Sequence, residues 1–221
     1  MATRDALPAE SLAALSAAGR VRRYPRGSLL FAEGDGAAEV LMVRDGSVKV
    51  LLTSVGGREV VLDVMEPGDL LGELSAIDAG ERSATAIALT NVEVLAVPQA
   101  VFQRRLENDA ALTLYLLRML TARIRGASRR QLEFGSSDAL GRLCHRILEL
   151  IDRQGQEGLH DDGMATVTVP MSQQDLAAWA GLSREAVVKA MHTMKRLSWI
   201  ETNGRQITVL QLDALTQRAN E

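Results

Sequence analysis

The stretch GELSAIDAGERSATA, residues 72–86, sets a carboxylate, Glu73, beside Gly72 and places an Arg82-Ser83 pair nine residues later, in a region otherwise rich in Val, Leu and Ala. A guanidinium fork matches two oxygens of a phosphate, and a carboxylate suits a hydroxyl donor, so these residue types fit a pocket for an anion that also carries hydroxyls. A polar surface loop accounts for the same letters without a ligand. The choice between the two depends on the elements that surround the stretch.

A second set of candidate residues lies in MSQQDLAAWAGLSREAVVKAMHTMKRLSWI, residues 171–200. Ser172 followed by Asp175 resembles a capping box with Asp in place of Glu or Gln. Ala177, Gly181 and Val187 have the spacing of a helix-turn-helix: a small residue where two helices cross, a glycine for a left-handed turn, and an aliphatic anchor. Ser183 then caps a helix whose first turns carry Arg184, Glu185 and Lys189. Such side chains can reach the floor of the DNA major groove, where Arg pairs guanine and Glu accepts from cytosine N4. A short helical hairpin with solvated charges is the simpler alternative. Next, SWIETNGRQITVLQL has Asn203-Gly204 between two β-prone runs, which predicts a type I′ hairpin and so a winged helix.

The elements that must position these residues follow from periodicity. From about Val21 to Pro98, short aliphatic runs alternate and are punctuated by Gly34, Gly46, Gly56, Gly57 and Gly68, the pattern of an antiparallel β-barrel or sandwich. From about Gln99 to Phe134 the period becomes helical, with Leu117, Leu120 and Ile124 on an a/d-type seam. Such a helix is roughly 45 Å long at 1.5 Å per residue, longer than a small domain is wide, which favours a dimeric coiled coil over packing on the β domain alone. Ser136 and Ser137 supply hinge-like residues, Asp138 is an N-cap candidate for an amphipathic helix closing at Gly155, and 165–169 reads as a strand ended by Pro170. The domains expected are therefore a β domain over 1–98, a long helix over 99–135 and a winged helix-turn-helix over 136–221, an α+β arrangement.

Composition bounds the function. The chain has 221 residues, 47% of them hydrophobic, enough for a proper core. No window approaches 18 apolar residues and the amino terminus lacks a signal-peptide core, so a cytoplasmic protein without a membrane span is expected. A single cysteine, Cys144, forms no internal disulfide and fits a reducing compartment. The formal net charge of −3 argues globally against nucleic acid. Between Ser172 and Gln206, however, five basic residues (Arg184, Lys189, Lys195, Arg196, Arg205) outnumber three acidic ones (Asp175, Glu185, Glu201), so the acidity lies elsewhere.

A β domain with GELSAIDAGERSATA, a long helix, and a winged helix with GLSREAVVKAM, in that order, resemble the CRP/FNR (cyclic-AMP receptor protein) family of bacterial transcription regulators from about Leu12 to Leu210. The resemblance implies an N-terminal jelly roll, a homodimer, double-stranded DNA and RNA polymerase as partners, and a cyclic nucleotide as allosteric effector. It places the effector on Gly72, Glu73, Leu74, Arg82, Ser83 and Ala84, with Glu73 accepting the ribose 2′-hydroxyl and Arg82 pairing the cyclic phosphate. A Glu73–Arg82 pair that seals the barrel without a ligand is the alternative. Cyclic-AMP-responsive members commonly offer Thr-Ser from the long helix to adenine; here the pair is Ala127-Ser128, so Ser128 alone would hold the base. Cyclic AMP is preferred, with cyclic GMP, cyclic di-GMP and no effector as alternatives, and a nucleotide-binding regulatory module without DNA function is the alternative from another class. Arg123 and Arg125, on the same helix, read as solvated charges.

On the DNA side, the resemblance implies base reading by Arg184, Glu185 and Lys189 at a TGTGA-like half-site. Lys189 stands where Arg is common, which removes a planar fork. Ser172, Gln173, Gln174, Ser183 and Gly204 would hold phosphates, and a two-fold dimer would address half-sites about 34 Å apart. Iron–sulfur and haem sensing need thiolate or imidazole ligands. Cys144, His145, His160 and His192 all follow the long helix, so no metal, haem or cluster is expected. Nor does any nucleophile or acid–base set accompany residues 72–84, the effector cassette that the resemblance implies, so no enzyme is expected.

Overall fold

The computed structural model describes residues 6–154 and 164–221. Contacts divide the chain between Gly126 and Ala127 into two compact units.

The first unit begins with helix α1 (Ala9–Ala18) and continues through strands β1 (Arg20–Tyr24), β2 (Leu29–Phe31), β3 (Glu39–Asp45), β4 (Val48–Thr53), β5 (Glu59–Met65) and β6 (Leu70–Leu71). A short helix α2 (Glu73–Asp78), strands β7 (Thr85–Ala88) and β8 (Val92–Pro98), and helix α3 (Gln99–Asn108) follow. The strands form two antiparallel sheets of jelly-roll type, ordered β1-β8-β3-β6 and β2-β7-β4-β5.

The unbroken apolar runs in β3 and β8 follow from a sheet covered on both faces. Leu41, Val43, Val94 and Ala96 pack between the sheets with Val48, Met65, Leu71 and Ala86. Their neighbours Val40, Met42, Leu95 and Val97 point the other way and meet Leu15 of α1, Phe102 of α3, and Leu112, Tyr115 and Leu116 of the next helix. Alternation in a strand therefore appears here as two different apolar partners rather than as apolar against polar.

The helix expected over 99–135 is divided. Asp109 is extended (φ −125°, ψ 91°), ending α3, and its carboxylate accepts from the backbone N–H of Leu112 at 3.0 Å and from the Ser11 hydroxyl at 2.7 Å. It thus caps the new helix α4 (Ala110–Ser136). Apolar period alone does not register such a break, because a capping Asp between two helical runs preserves their spacing. The break expected between Gly135 and Asp138 falls at Ser137-Asp138, since Ser136 still closes α4 and its hydroxyl donates back to the Leu132 carbonyl.

In the second unit, Asp138 accepts from the Gly141 N–H at 2.9 Å and starts α5 (Ala139–Gln154); the expected close at Gly155 lies outside the described residues. Then come β9 (Ala165–Thr168), α6 (Gln173–Ala180), α7 (Arg184–Arg196), β10 (Ile200–Asn203), β11 (Gln206–Val209) and a terminal α8 (Leu212–Ala219). β9, β10 and β11 form one antiparallel sheet in the order β10-β11-β9. The hairpin turn lies one residue beyond the predicted place. Asn203 pairs with Gln206, leaving Gly204-Arg205 as the two-residue loop, of which only Gly204 has positive φ. That is the II′ arrangement rather than I′. Among the described residues no helix is long and apolar enough to cross a membrane, and no three His, Cys, Asp or Glu side chains group as a metal site requires.

The α6 capping box is complete: Ser172 Oγ accepts from the Asp175 N–H at 3.1 Å, and the Asp175 carboxylate accepts from the Ser172 N–H at 3.3 Å and from its hydroxyl at 2.6 Å. Both tryptophans of the chain, Trp179 and Trp199, lie in this unit, so their fluorescence reports its unfolding. Ser172→Ala is expected to lower the stability read from tryptophan emission in urea by about 1 kcal/mol; an unchanged midpoint and slope would show that the box does not hold the start of α6.

Candidate functional site

Gly72 joins β6 to α2 in the left-handed region (φ 73°). A Cβ there would stand 1.7 Å from Arg82 Nη1, so glycine is required both by the turn and by the guanidinium packed against it. Arg82, only 6% exposed, donates from Nη1 to the Gly72 carbonyl at 3.0 Å and from Nη2 to the Glu39 carbonyl at 2.5 Å. Its guanidinium lies 4.4 Å from the Phe31 ring centroid, and Nε is buried without a hydrogen-bond partner. Burial pulls the Arg82 pKa down, opposed by the charges of Glu73, Asp35 and Glu39. The group stays cationic, because arginine does not deprotonate in proteins.

Glu73 opens α2 and is 2% exposed. Its carboxylate does not pair with Arg82. Oε1 instead accepts from Arg123 Nη1 of α4 at 2.5 Å, while Arg123 Nη2 donates to the Leu70 carbonyl at 2.8 Å. Both alternatives weighed from sequence are thereby corrected: Arg123 is not a solvated charge, and Glu73 and Arg82 do not seal the barrel through each other. Arg125 is exposed as expected. Sequence reasoning missed Arg123 because its partner lies fifty residues away and no local spacing links them. Burial pushes the Glu73 pKa up, and the charge of Arg123 opposes the shift.

The loop between the two halves of the cassette is tied down by the Ser75 hydroxyl, which donates to the Glu81 carbonyl at 2.9 Å, and by Gln99 and Gln103 of α3, whose amides donate to the carbonyls of Ser75 and Ala76. Ala84 is buried, whereas Leu74 and Ser83 are exposed at the surface of the same segment. Ser128 is exposed on α4, in the second unit.

In the second unit Gly181 adopts φ 64° at the end of α6, and a Cβ there would overlap the Phe134 ring. Trp179 is buried, with the Arg146 and Arg153 guanidinium groups 5.3 and 5.5 Å from its ring centroid. Arg146 also bonds Glu133 at 2.5 Å and Glu149 at 2.6 Å, joining the last turns of α4 to α5. Val187 is fully buried, and Ser183 Oγ accepts from the Ala186 N–H at 3.1 Å, so α7 is fixed in place and in starting point. The outer face presents Arg184, Glu185, Val188, Lys189, His192, Thr193 and Arg196 around one concavity. A backbone hydrogen bond, aided by the Ser183 hydroxyl, holds the Glu185 carboxyl below its ordinary range, so it is an anion, and an acceptor, at neutral pH. A second concavity lies between α7 and the wing and includes Ser172, Gln173, Gly204 and Arg205. Gln174 is exposed on α6. Both polar hydrogens of Ser172, on nitrogen and hydroxyl, are engaged by Asp175, which leaves this residue less able to donate to a phosphate than its neighbours.

The Glu73–Arg123 pair generates a pH-dependent expectation. Removing Arg123 leaves a buried carboxylate uncompensated, a loss of about 3 kcal/mol at pH 7. A carboxyl whose folded pKa is raised contributes stability that is present below its unfolded pKa and lost as pH rises through the folded value. The stability gap between the wild type and Arg123→Ala should therefore narrow as pH falls from 7 toward 4.5, and Glu73→Gln should largely rescue the variant. A gap independent of pH, measured by urea unfolding, would contradict the pairing.

Comparison with known proteins bears on both sites. The cyclic nucleotide-binding domain model matches residues 21–109, and the Crp-like helix-turn-helix domain model matches residues 141–218. The CRP-like cAMP-activated global transcriptional regulator of Mycobacterium tuberculosis is 31% identical over 197 residues, covering 89% of this chain and 86% of its own. The cyclic AMP receptor protein of Thermus thermophilus is 33% identical over 173 residues, covering 78% of this chain and 76% of its own. The structure of the c-di-GMP responsive global regulator CLP of Xanthomonas campestris superposes with a TM-score of 0.76 at 22% identity, over 91% of this chain and 99% of that one, a likeness of fold alone. With one domain model matched over the segment that holds Gly72, Glu73 and Arg82, a second over the helix-turn-helix of α6 and α7, and relatives aligned across both, this chain belongs to the CRP/FNR family of ligand-responsive, DNA-binding transcription regulators.

Proposed function

We propose that the chain acts in the cytoplasm as a homodimeric regulator that binds a palindromic, TGTGA-like site on double-stranded DNA and is switched by a cyclic nucleotide, with cyclic AMP the preferred effector. The observation that carries this reading is Arg82: a guanidinium more than nine-tenths buried, stacked on Phe31, with Nε unpartnered, next to the buried carboxylate of Glu73. An anionic ligand supplies what such a cation lacks, and a ribose hydroxyl can donate to Glu73, whose carboxylate accepts more bonds than Arg123 uses. In this scheme Gly72, Leu74, Ser83 and Ala84 shape the cassette around those two charges. The names of the Mycobacterium and Thermus relatives support cyclic AMP.

Ser128 would contact the adenine. With Ala127 in place of a threonine, one hydroxyl is missing from that contact, and a single hydrogen bond is worth on the order of 1 kcal/mol net, so selectivity against cyclic GMP should be modest. The Xanthomonas regulator named for cyclic di-GMP shares this fold and keeps that nucleotide as the second reading.

Leu120, expected on the dimer seam, packs instead against the core of the first unit, whereas Leu114, Leu117 and Ile124 support the homodimer. They are 48%, 57% and 67% exposed, and their spacing of three and seven residues sets them on one face of α4, the seam a second copy would cover. On DNA, Arg184, Glu185 and Lys189 would read bases, while Ser183, Gln173, Gln174 and Gly204 would position phosphates, with Ser172 in a reduced part. RNA polymerase is the expected protein partner. No catalytic role is assigned to any residue. The division into 1–98, 99–135 and 136–221 stays the proposed functional one, with the break at Asp109 inside its middle segment.

Calorimetric titration of the full-length protein with cyclic AMP, cyclic GMP and cyclic di-GMP tests the cassette. Charge-assisted bonds contribute about 1.5–3 kcal/mol each, so Arg82→Ala should weaken nucleotide binding at least roughly tenfold, and Arg82→Lys, which keeps charge but loses the fork, should fall between. Wild-type affinity in Arg82→Ala would overturn the assignment, and tightest binding of another nucleotide would transfer the effector role to it.

A further inference from the structure

The outer face of α7 carries seven exposed side chains, and six of them are polar or charged: Arg184, Glu185, Lys189, His192, Lys195 and Arg196. The seventh is Val188, 48% exposed, which lines both the concavity on the helix face and the one toward the wing. Helix stability does not account for it. A β-branched side chain is a poorer helix former than alanine, and Val188 adds nothing to the buried anchors of this helix, Val187, Ala190 and Met194.

Its placement is specific. At 3.6 residues per turn, Val188 projects about 40° from Arg184 and about 60° from Glu185, between the two, about one turn further along the helix. A residue there meets the floor of the groove whenever its two neighbours read bases. The major-groove floor offers one apolar feature, the C5 methyl of thymine, and apolar side chains are its usual contacts. The stiff χ1 of valine fixes the direction of its two methyl groups, so little side-chain freedom is lost on contact.

We infer that Val188 is a specificity-determining residue that reads the C5 methyl of a thymine next to the base pair addressed by Arg184 or Glu185. The inference rests on the proposed reading of α7 as the base-contacting helix and adds a position to the recognised site that the charged residues cannot specify. A methyl shielded from water on both partners favours thymine over any base without that group, and guanine or adenine at the same place would set a polar edge against the valine.

Replacing thymine by deoxyuridine removes that methyl and leaves every hydrogen-bonding group unchanged. Duplexes would be selected by the full-length protein, with cyclic AMP present, from a library of randomised palindromes. Each thymine of one half-site would then be replaced in turn by deoxyuridine and the affinity read by fluorescence anisotropy. One position should lose about fourfold in affinity with the wild-type protein, the effect of one methyl group. With Val188→Ala, an exposed substitution that leaves the core intact, the same replacement should change affinity by less than about twofold. Tolerance of deoxyuridine at every position, or a penalty undiminished in Val188→Ala, would overturn the inference while leaving DNA binding standing. Failure to enrich any duplex would overturn the DNA reading and this inference with it.

Discussion

Burying a guanidinium is unfavourable unless its N–H groups find acceptors, and the first unit is arranged around meeting that condition for Arg82. Two carbonyls, those of Gly72 and Glu39, take one N–H from each terminal nitrogen, and Phe31 takes the face. The first of those carbonyls is available only because Gly72 holds a left-handed turn with no Cβ in the way. That turn starts α2, which places Glu73 inside the protein rather than on it. Glu73 in turn needs a cation and draws Arg123 from α4. A chain of charge compensation thus runs from β3 through the cassette to the central helix, and each link is required because the previous one is buried.

Under the proposed function, a ligand that added an anion near Arg82 or a hydroxyl donor near Glu73 would alter the balance that fixes Arg123, and would so act on α4 through charge rather than through bulk. The coupling needed for an allosteric switch is small, typically 1–3 kcal/mol, comparable to one such charge-assisted bond. In the second unit, Arg146 plays an analogous part, joining Glu133 at the end of α4 to α5 and lying over Trp179 of α6. Within each unit, an arginine–glutamate pair thus ties that unit's own segment of α4 to its neighbours: Arg123 with Glu73 in the first, Glu133 with Arg146 in the second.

Much of this was legible in the sequence wherever the signal is local. Gly72, Glu73, Arg82 and Ser83 stand close together along the chain, so their types and spacing point to an anion pocket, while their individual ligand roles come from the family resemblance; the local spacing of Ser172 with Asp175 and of Gly181 with Ser183 marks the cap and the turn that the structure contains. The partnership of Glu73 with Arg123 is non-local, and charge on a helix face reads as solvation until the fold shows what lies opposite. Asp109 escaped notice for a different reason: a capping residue between two helices leaves the apolar period intact. The hairpin was misregistered by one residue because Asn203-Gly204 and Gly204-Arg205 both place a glycine in the turn, and only the pairing of Asn203 with Gln206 distinguishes them. The terminal helices α1 and α8 went unpredicted; they are short, and one face of each serves mainly to cover an already formed layer, with Leu15 and Leu215 as the buried contacts.

The central claim is that occupancy of the Arg82 cassette controls the affinity of α7 for DNA. Its most direct measurement is the dissociation constant of one selected palindromic duplex, at fixed salt, with the full-length protein free of nucleotide and again at saturating cyclic AMP. The account predicts a shift of about five- to 150-fold, the range of a 1–3 kcal/mol coupling, and by reciprocity an equal shift in nucleotide affinity when the duplex is bound. Equal DNA affinity in the two states, with nucleotide demonstrably bound, would contradict it.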